Sequence, residues 1–224
     1  MAPTRIGREL ATIKSGQTIG PWLSSERWRR GQVIVPAASG IASFTFNVSN
    51  DLDGADATAY PLRDQAGVAL SLDLGAGPMI PLLPALFSYR FIQPIANAAP
   101  GGGRTFEFVV VDGPATWRRV PAPILAGAQR SIAAELGGAS AGSFSIPVGL
   151  TGGAVTFLVG DGAGPATVWS SVVDAAGAAI SQDVAAAGLF TLPRECFGAP
   201  AMQVFAGGVQ SGRRAVDLWL KEEG

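Results

Sequence analysis

The 224-residue chain contains no histidine. That removes the usual general base, the commonest zinc ligand and every Ser-His or Cys-His nucleophile pair. Carboxylate pairs could still work, since glycoside hydrolysis needs only two acids about 5 to 10 Å apart, but the many turn aspartates single out no such pair. The one cysteine, Cys196, can form no intramolecular disulfide, and nothing near it has metal-ligand spacing. No base lies beside it and its setting is largely apolar, which predicts a buried structural thiol. Charged residues make up only 15% of the chain, too few for a disordered polyelectrolyte, while 48% apolar residues suffice for folded cores. A net charge of −1 gives no overall basic excess of the kind that marks nucleic-acid binders. Long apolar runs are missing as well. The most apolar stretch, Gly77 to Phe87, is broken by Pro78, Pro81 and Pro84, and Met1 to Lys14 lacks the apolar centre of a signal peptide. These features predict a protein made in the cytosol without a membrane span and without a cofactor.

What the chain does have is an internal repeat, the feature to seek before any other because missing it misassigns the fold. Asp64-Gln65-Ala66-Gly67 matches Asp174-Ala175-Ala176-Gly177 at a separation of 110 residues. The same separation pairs Ser71 with Ser181, Asp73 with Asp183, Phe87 with Phe197, Gln93 with Gln203 and Arg104 with Arg214. Upstream, Phe46 and Val48 match Phe157 and Val159 after a slip of one residue.

The repeated segments alternate apolar and polar residues, as in Ser43 to Val48, Arg104 to Val109 and Arg214 to Trp219. That is the period of half-buried strands. Turn signals separate them, drawn from 30 glycines and 16 prolines. The expected fold is all-β: two tandem antiparallel β-sandwiches, Ig-like or jelly-roll-like, from an internal duplication. Helix is expected only around Ala128 to Leu136 and near the N-terminus. The predicted organisation is an arm over residues 1–30, a sandwich over 31–113 and a second over 114–224, with the boundary after Asp112-Gly113-Pro114.

The first thirty residues show no in-register partner at the repeat spacing. Trp28-Arg29-Arg30 resembles Trp117-Arg118-Arg119, but at 89 residues, so that likeness sets no boundary. Up to Gly31 the chain carries six basic residues against Glu9 and Glu26. Tryptophans among the arginines favour ordered docking on an acidic protein surface over a free tail, which nominates Arg5, Arg8, Trp22, Arg27, Trp28, Arg29 and Arg30 as partner-binding residues.

Other motifs favour structural roles. Asp51, Asp53 and Asp56 around Gly54 resemble the opening of a calcium loop, but the distal glutamate is missing and the second copy, Gly160 to Gly164, has lost most carboxylates. A hairpin with self-bonded aspartates is expected there. Gly101 to Gly103 lacks the Gly-Lys-Ser/Thr of a phosphate loop. The matched Asp64/Asp174, Ser71/Ser181 and Arg104/Arg214 suit a tight turn with an arginine tying a strand end to it.

Phe46 to Asn50, Tyr60-Pro61-Leu62, Asp64 to Gly67, Leu83 to Phe87 and Arg104 to Phe108 together resemble virion structural proteins of tailed bacteriophages. The second copy departs from the pattern at Ser170-Ser171 and Pro193 to Phe197. The resemblance implies a non-enzymatic virion component, with a capsid decoration or cement protein expected first. It implies a homotrimer, contact with the major capsid protein or another virion protein, and location in the virion. A tail, baseplate or fibre subunit is the alternative, and a carbohydrate-binding module using exposed tryptophans is a second.

Overall fold

The computed structural model describes residues 5–51, 59–146, 149–184 and 186–223. They divide into two compact units, one running to Leu62 and resuming over Ala69–Ala115, the other comprising Thr116–Glu223 with Arg63–Val68.

In the first unit the strands are β1 (Arg5–Ile13), β2 (Leu23–Ser24), β3 (Trp28–Ile34), β4 (Ser43–Ser49), β5 (Tyr60–Pro61), β6 (Ser71–Asp73), β7 (Met79–Pro81), β8 (Phe91–Ala96) and β9 (Arg104–Asp112). A short 3-10 helix, Pro84–Ser88, precedes β8. One sheet has the order β1-β9-β3-β7 and the other β2-β8-β4-β5, with β6 also pairing with β4. Because β5 lies opposite Asn47–Val48 and β6 opposite Ser43–Thr45, the two share one strand position beside β4. Counting positions in chain order, the sheets are therefore 1-8-3-6 and 2-7-4-5, the two interlocked Greek keys of a jelly roll.

The second unit repeats this plan. Its strands are β10 (Ala115–Pro121), β11 (Ala134–Glu135), β12 (Ala139–Ile146), β13 (Ala154–Gly160), β14 (Trp169–Ser171), β15 (Ser181–Asp183), β16 (Gly188–Thr191), β17 (Ala201–Ala206) and β18 (Asp217–Glu223). The sheet orders, β10-β18-β12-β16 and β11-β17-β13-β14 with β15 on β13, reproduce those of the first unit strand for strand.

The duplication therefore reaches into the segment predicted to be an arm, and that prediction is corrected. Arg5 to Ile13 pair residue by residue with Asp112 to Arg104, and β3 pairs with β9 on its other side. Both copies carry a bulge at the same place, between Trp28 and Arg30 on β3 and between Ala139 and Ala141 on β12. Just after each bulge stands a glycine. A side chain on Gly31 would sit 2.9 Å from the Val109 carbonyl, and one on Gly142 2.6 Å from the Trp219 carbonyl, so neither position admits a Cβ. The tight turns entering these strands match too: Trp28 N–H donates to the Ser25 carbonyl as Ala139 N–H donates to that of Leu136.

The two expected helices are absent from the described residues. The N-terminal segment is β1, and Ala128 to Leu136 holds a turn, a bridge from Arg130 to Phe205 and β11. There the backbone groups bond across to β17, with Ser131 N–H donating to Val204, which outweighs the alanine propensity of a stretch too short to nucleate a stable helix.

Each core lies between the two sheets of its own jelly roll. In the first, Phe44 meets Phe106 edge to face at 4.6 Å and Trp28 stacks on Phe108. Phe144 has the same part in the second, against Phe157 at 5.3 Å and Phe190 at 5.5 Å. The alternation read from the sequence is thus the inward half of each strand, with Phe106, Phe108 and Val110 buried on β9 and Leu218 and Leu220 on β18.

Candidate interaction surface

The outer face of the first unit's β1-β9-β3-β7 sheet is built by the residues between those that fill the core. Register sets them in rows: Ile6, Val111 and Arg30; Arg8, Val109, Gln32 and Pro81; Leu10, Glu107, Ile34 and Met79. Burial would be expected for so many apolar side chains, yet Ile6 is 75% exposed, Leu10 62% and Met79 53%. A shallow groove of about 320 Å³ runs along this face between Ile6, Arg30, Gln32 and Val109–Val111.

Charge frames the apolar rows. Arg8 donates to Glu107 at 2.7 Å across β1 and β9, an exposed pair worth roughly 0.2–1 kcal/mol. Arg27 and Arg30 are exposed and hold no ion pair among the described residues, whereas Arg5, exposed as well, alternates with Ile6 and stands on the other face of β1. The surface is apolar with a basic border.

The structure does not bring the seven residues nominated from the sequence together on one face. Arg5, Arg8 and Arg30 fall on β1 and β3 of this sheet, and Arg27 lies exposed in the turn before β3. Arg29 is half-buried and donates to the Pro114 carbonyl at 3.2 Å. Trp22 is half-buried ahead of β2. Trp28 is only 2% exposed and belongs to the core, so its reading as a docking side chain is corrected. Sequence reasoning passed over Ile6, Leu10, Val109 and Val111: the large apolar residues of Arg5 to Ile13 fall at 6, 10 and 13, a helical spacing, and the segment had no visible partner in the second copy.

The repeat-matched aspartates have a structural task. The Asp64 carboxylate accepts from the backbone N–H groups of Ala66 and Val68, each at 2.9 Å, and Asp174 accepts from Ala176 and Ala178 at 2.8 and 2.9 Å. Gly67 and Gly177 close the two turns at φ of 79° and 82°. Neither partner arginine ties down these turns: Arg104 donates to the Gly103 carbonyl, and the buried Nε atoms of both Arg104 and Arg214 have no partner among the described residues. Arg63 instead donates to the Gly67 carbonyl.

Cys196 is fully buried, and desolvation together with the neighbouring Glu195 carboxylate pushes its thiol up to about 12. Asp53 and Asp56 of the calcium-like turn lie outside the described residues; among those described, no group of three or more acidic or cysteine side chains is placed to hold a metal. A second groove, about 410 Å³, is lined mainly by glycine and alanine at Gly137, Gly162–Ala163 and Gly198–Pro200, with Glu135 its one charged side chain. No helix among the described residues is long and apolar enough to cross a membrane.

Two of the tryptophan faces that a sugar platform would need are occupied. Lys221 sits over the Trp117 ring at 5.8 Å and Arg119 over Trp219 at 5.6 Å. Arg119 is held there by Asp217 at 2.6 Å.

No protein family and no curated protein matches the chain. Among solved structures it is similar to the PBSX exported protein XepA, at 11% identity and a TM-score of 0.32 over 99% of this chain and 87% of that one. It is also similar to the major capsid protein P2 of bacteriophage PM2, at 8% identity and 0.28 over 97% and 98%. A third likeness is to A223, a turret protein in Sulfolobus turreted icosahedral virus, at 9% identity and 0.25 over 98% of both chains. Superpositions this loose establish neither a shared fold nor a shared role; the jelly-roll assignment rests on the chain's own strand order.

Proposed function

We propose that this protein is a structural component of a virus particle, a capsid decoration or cement protein of a tailed phage, that seats on the major capsid protein or another virion protein and assembles as a trimer. The observation that carries this reading is the pairing of two filled jelly rolls with an exposed, basic-bordered apolar sheet face. Jelly rolls serve chiefly as viral capsid and lectin domains and as cupins. The histidine-free sequence supplies no general base of the usual kind. Cations over Trp117 and Trp219, and burial of Trp28, leave few open aromatic platforms for a sugar. Binding to an assembled lattice needs only an exposed patch, and weak contacts repeated over many sites add up through avidity.

The test is co-sedimentation of the purified protein with empty shells of its virus, followed by electron cryo-microscopy of the native particle. Density for two jelly rolls on the head, lost with Ile6→Asp/Arg30→Glu, is the expected result. Density confined to the tail would move the assignment to a tail, baseplate or fibre subunit, and absence from the particle would overturn the virion reading altogether.

A further inference from the structure

Strand β1 is a long edge guarded by its charged side chains, Arg5, Arg8 and Glu9, and by nothing in its backbone. Edges are ordinarily short, bulged or interrupted by proline, because an open row of backbone donors and acceptors invites another strand. The first unit's other edges follow that practice: β2 has two residues, β5 has two and includes Pro61, and β7 has three and ends in Pro81. β1 has nine, contains no proline and pairs with β9 without a break in register. Its other side carries no strand among the described residues.

The side chains on that edge are also incompletely matched. Arg5 and Glu9 are both exposed, stand on the same face of β1, and form no ion pair among the described residues. Directly opposed residues of an antiparallel pair share a face, so two copies of one strand related by a two-fold axis must place one residue opposite itself. Centring on Arg8 or Glu9 would oppose like charges, which is destabilising. Centring on Leu10 would set Glu9 against Ala11 and Arg8 against Thr12, leaving the charges unanswered. Centring on Gly7 places Arg5 of each copy opposite Glu9 of the other, and lays the Arg8 stem along the exposed Ile6.

We propose that two copies of this chain join antiparallel along β1, centred on Gly7, extending the β1-β9-β3-β7 sheet across a two-fold axis and closing two reciprocal Arg5–Glu9 ion pairs. The occupant of the edge is a second copy because charge complementarity selects it. This assignment does not rest on the virion reading: the trimer proposed above forms on the capsid lattice, whereas the β1 contact is made by the isolated protein in solution.

Sedimentation velocity of the full chain from micromolar to millimolar concentration tests it. The wild type dimerises reversibly. Arg5→Glu alone, or Glu9→Arg alone, turns two attractive pairs into two repulsive ones and weakens association about tenfold or more. The double variant Arg5→Glu/Glu9→Arg restores it to within about threefold. Circular dichroism and melting curves establish that each variant is folded; should a reversal unfold the chain, Arg5→Gln and Glu9→Gln provide the same contrast with losses of about threefold. A wild type that stays monomeric, a dimer indifferent to the single reversals, or a double variant as weak as the singles would each overturn the proposal.

Discussion

Trp28 lies stacked on Phe108, with ring centroids 6.0 Å apart and planes 27° from parallel, inside the first jelly roll. The pairing ties β3 to β9 through the largest fully buried side chain among the described residues, and it makes the segment before residue 31 part of a core. Truncating such a ring removes its transfer free energy and leaves a cavity that rigid sheets cannot collapse. Trp28→Ala should therefore cost about 3–5 kcal/mol, and Trp28→Phe substantially less. Urea unfolding followed by far-ultraviolet circular dichroism measures both; a loss below about 1 kcal/mol for the alanine variant would contradict this packing.

The two Asp-x-x-Gly turns give matched experiments in one molecule. Replacing Asp174 by alanine strips two backbone donors of their acceptor, at a cost of about 1–2 kcal/mol, whereas Asp174→Asn keeps the accepting oxygen and should recover most of it. Gly177→Ala forces a β-carbon into the left-handed region at φ 82° and should cost about 1 kcal/mol. Equal losses for the asparagine and alanine variants in thermal melts would mean that the carboxylate acts through its charge and not as a turn acceptor.

Much of this architecture was legible in the sequence, and the parts that were not have definite causes. Period-two alternation exposed β4, β9 and β18 because each buries one face only, and the separation of 110 residues linked the two copies through turns whose backbone demands restrict the residue choice, as at Gly67 and Gly177. The first third of each jelly roll escaped notice because its core positions tolerate large changes in volume: Trp28 stands at the start of β3 where Ala139 stands at the start of β12. The surviving signal was backbone geometry, Gly31 against Gly142, where the neighbouring strand excludes a side chain. The outer sheet face was hidden for a different reason. Exposed apolar residues follow no local rule, and Ile6 becomes a surface residue only once β1 is known to lie on β9.

Cys196 offers a pH readout. Its thiol is held protonated in the folded protein up to about 12, against an ordinary value of 9.0. Between those values the unfolded chain releases a proton that the folded chain retains, so stability is intact below pH 9 and falls as pH rises, by up to about 1.4 kcal/mol per pH unit. Cys196→Ala should remove this component, flattening the difference in unfolding free energy between pH 9 and 11 relative to the wild type. The native thiol should also resist aromatic disulfide reagents at pH 8 and react at once in urea. Rapid labelling of the native protein would place the thiol at the surface.

Removing residues 1–30 discriminates between an arm and a woven segment. A tail docked on the outside could be cut away and leave a folded protein with lost partner binding. Here the cut takes β1, β2 and the opening of β3, strips β9 of its neighbour on one side, and deletes Trp28 from the core and Glu26 from its ion pair with Arg90. The buried Ala11, Ile13, Leu23 and Trp28 go with the cut, at about 1.5–3 kcal/mol for each large side chain, a loss comparable with the whole stability of an ordinary domain, about 5–15 kcal/mol, so the truncated chain should lose the cooperative melt of its first jelly roll and aggregate through the exposed sheet. Arg27→Glu/Arg30→Glu, on the contrary, changes only solvated side chains and should shift stability by no more than about 0.5 kcal/mol. Differential scanning calorimetry of the two side by side decides the matter, and a truncated protein that melts like the wild type would return the N-terminal residues to the status of a separable arm.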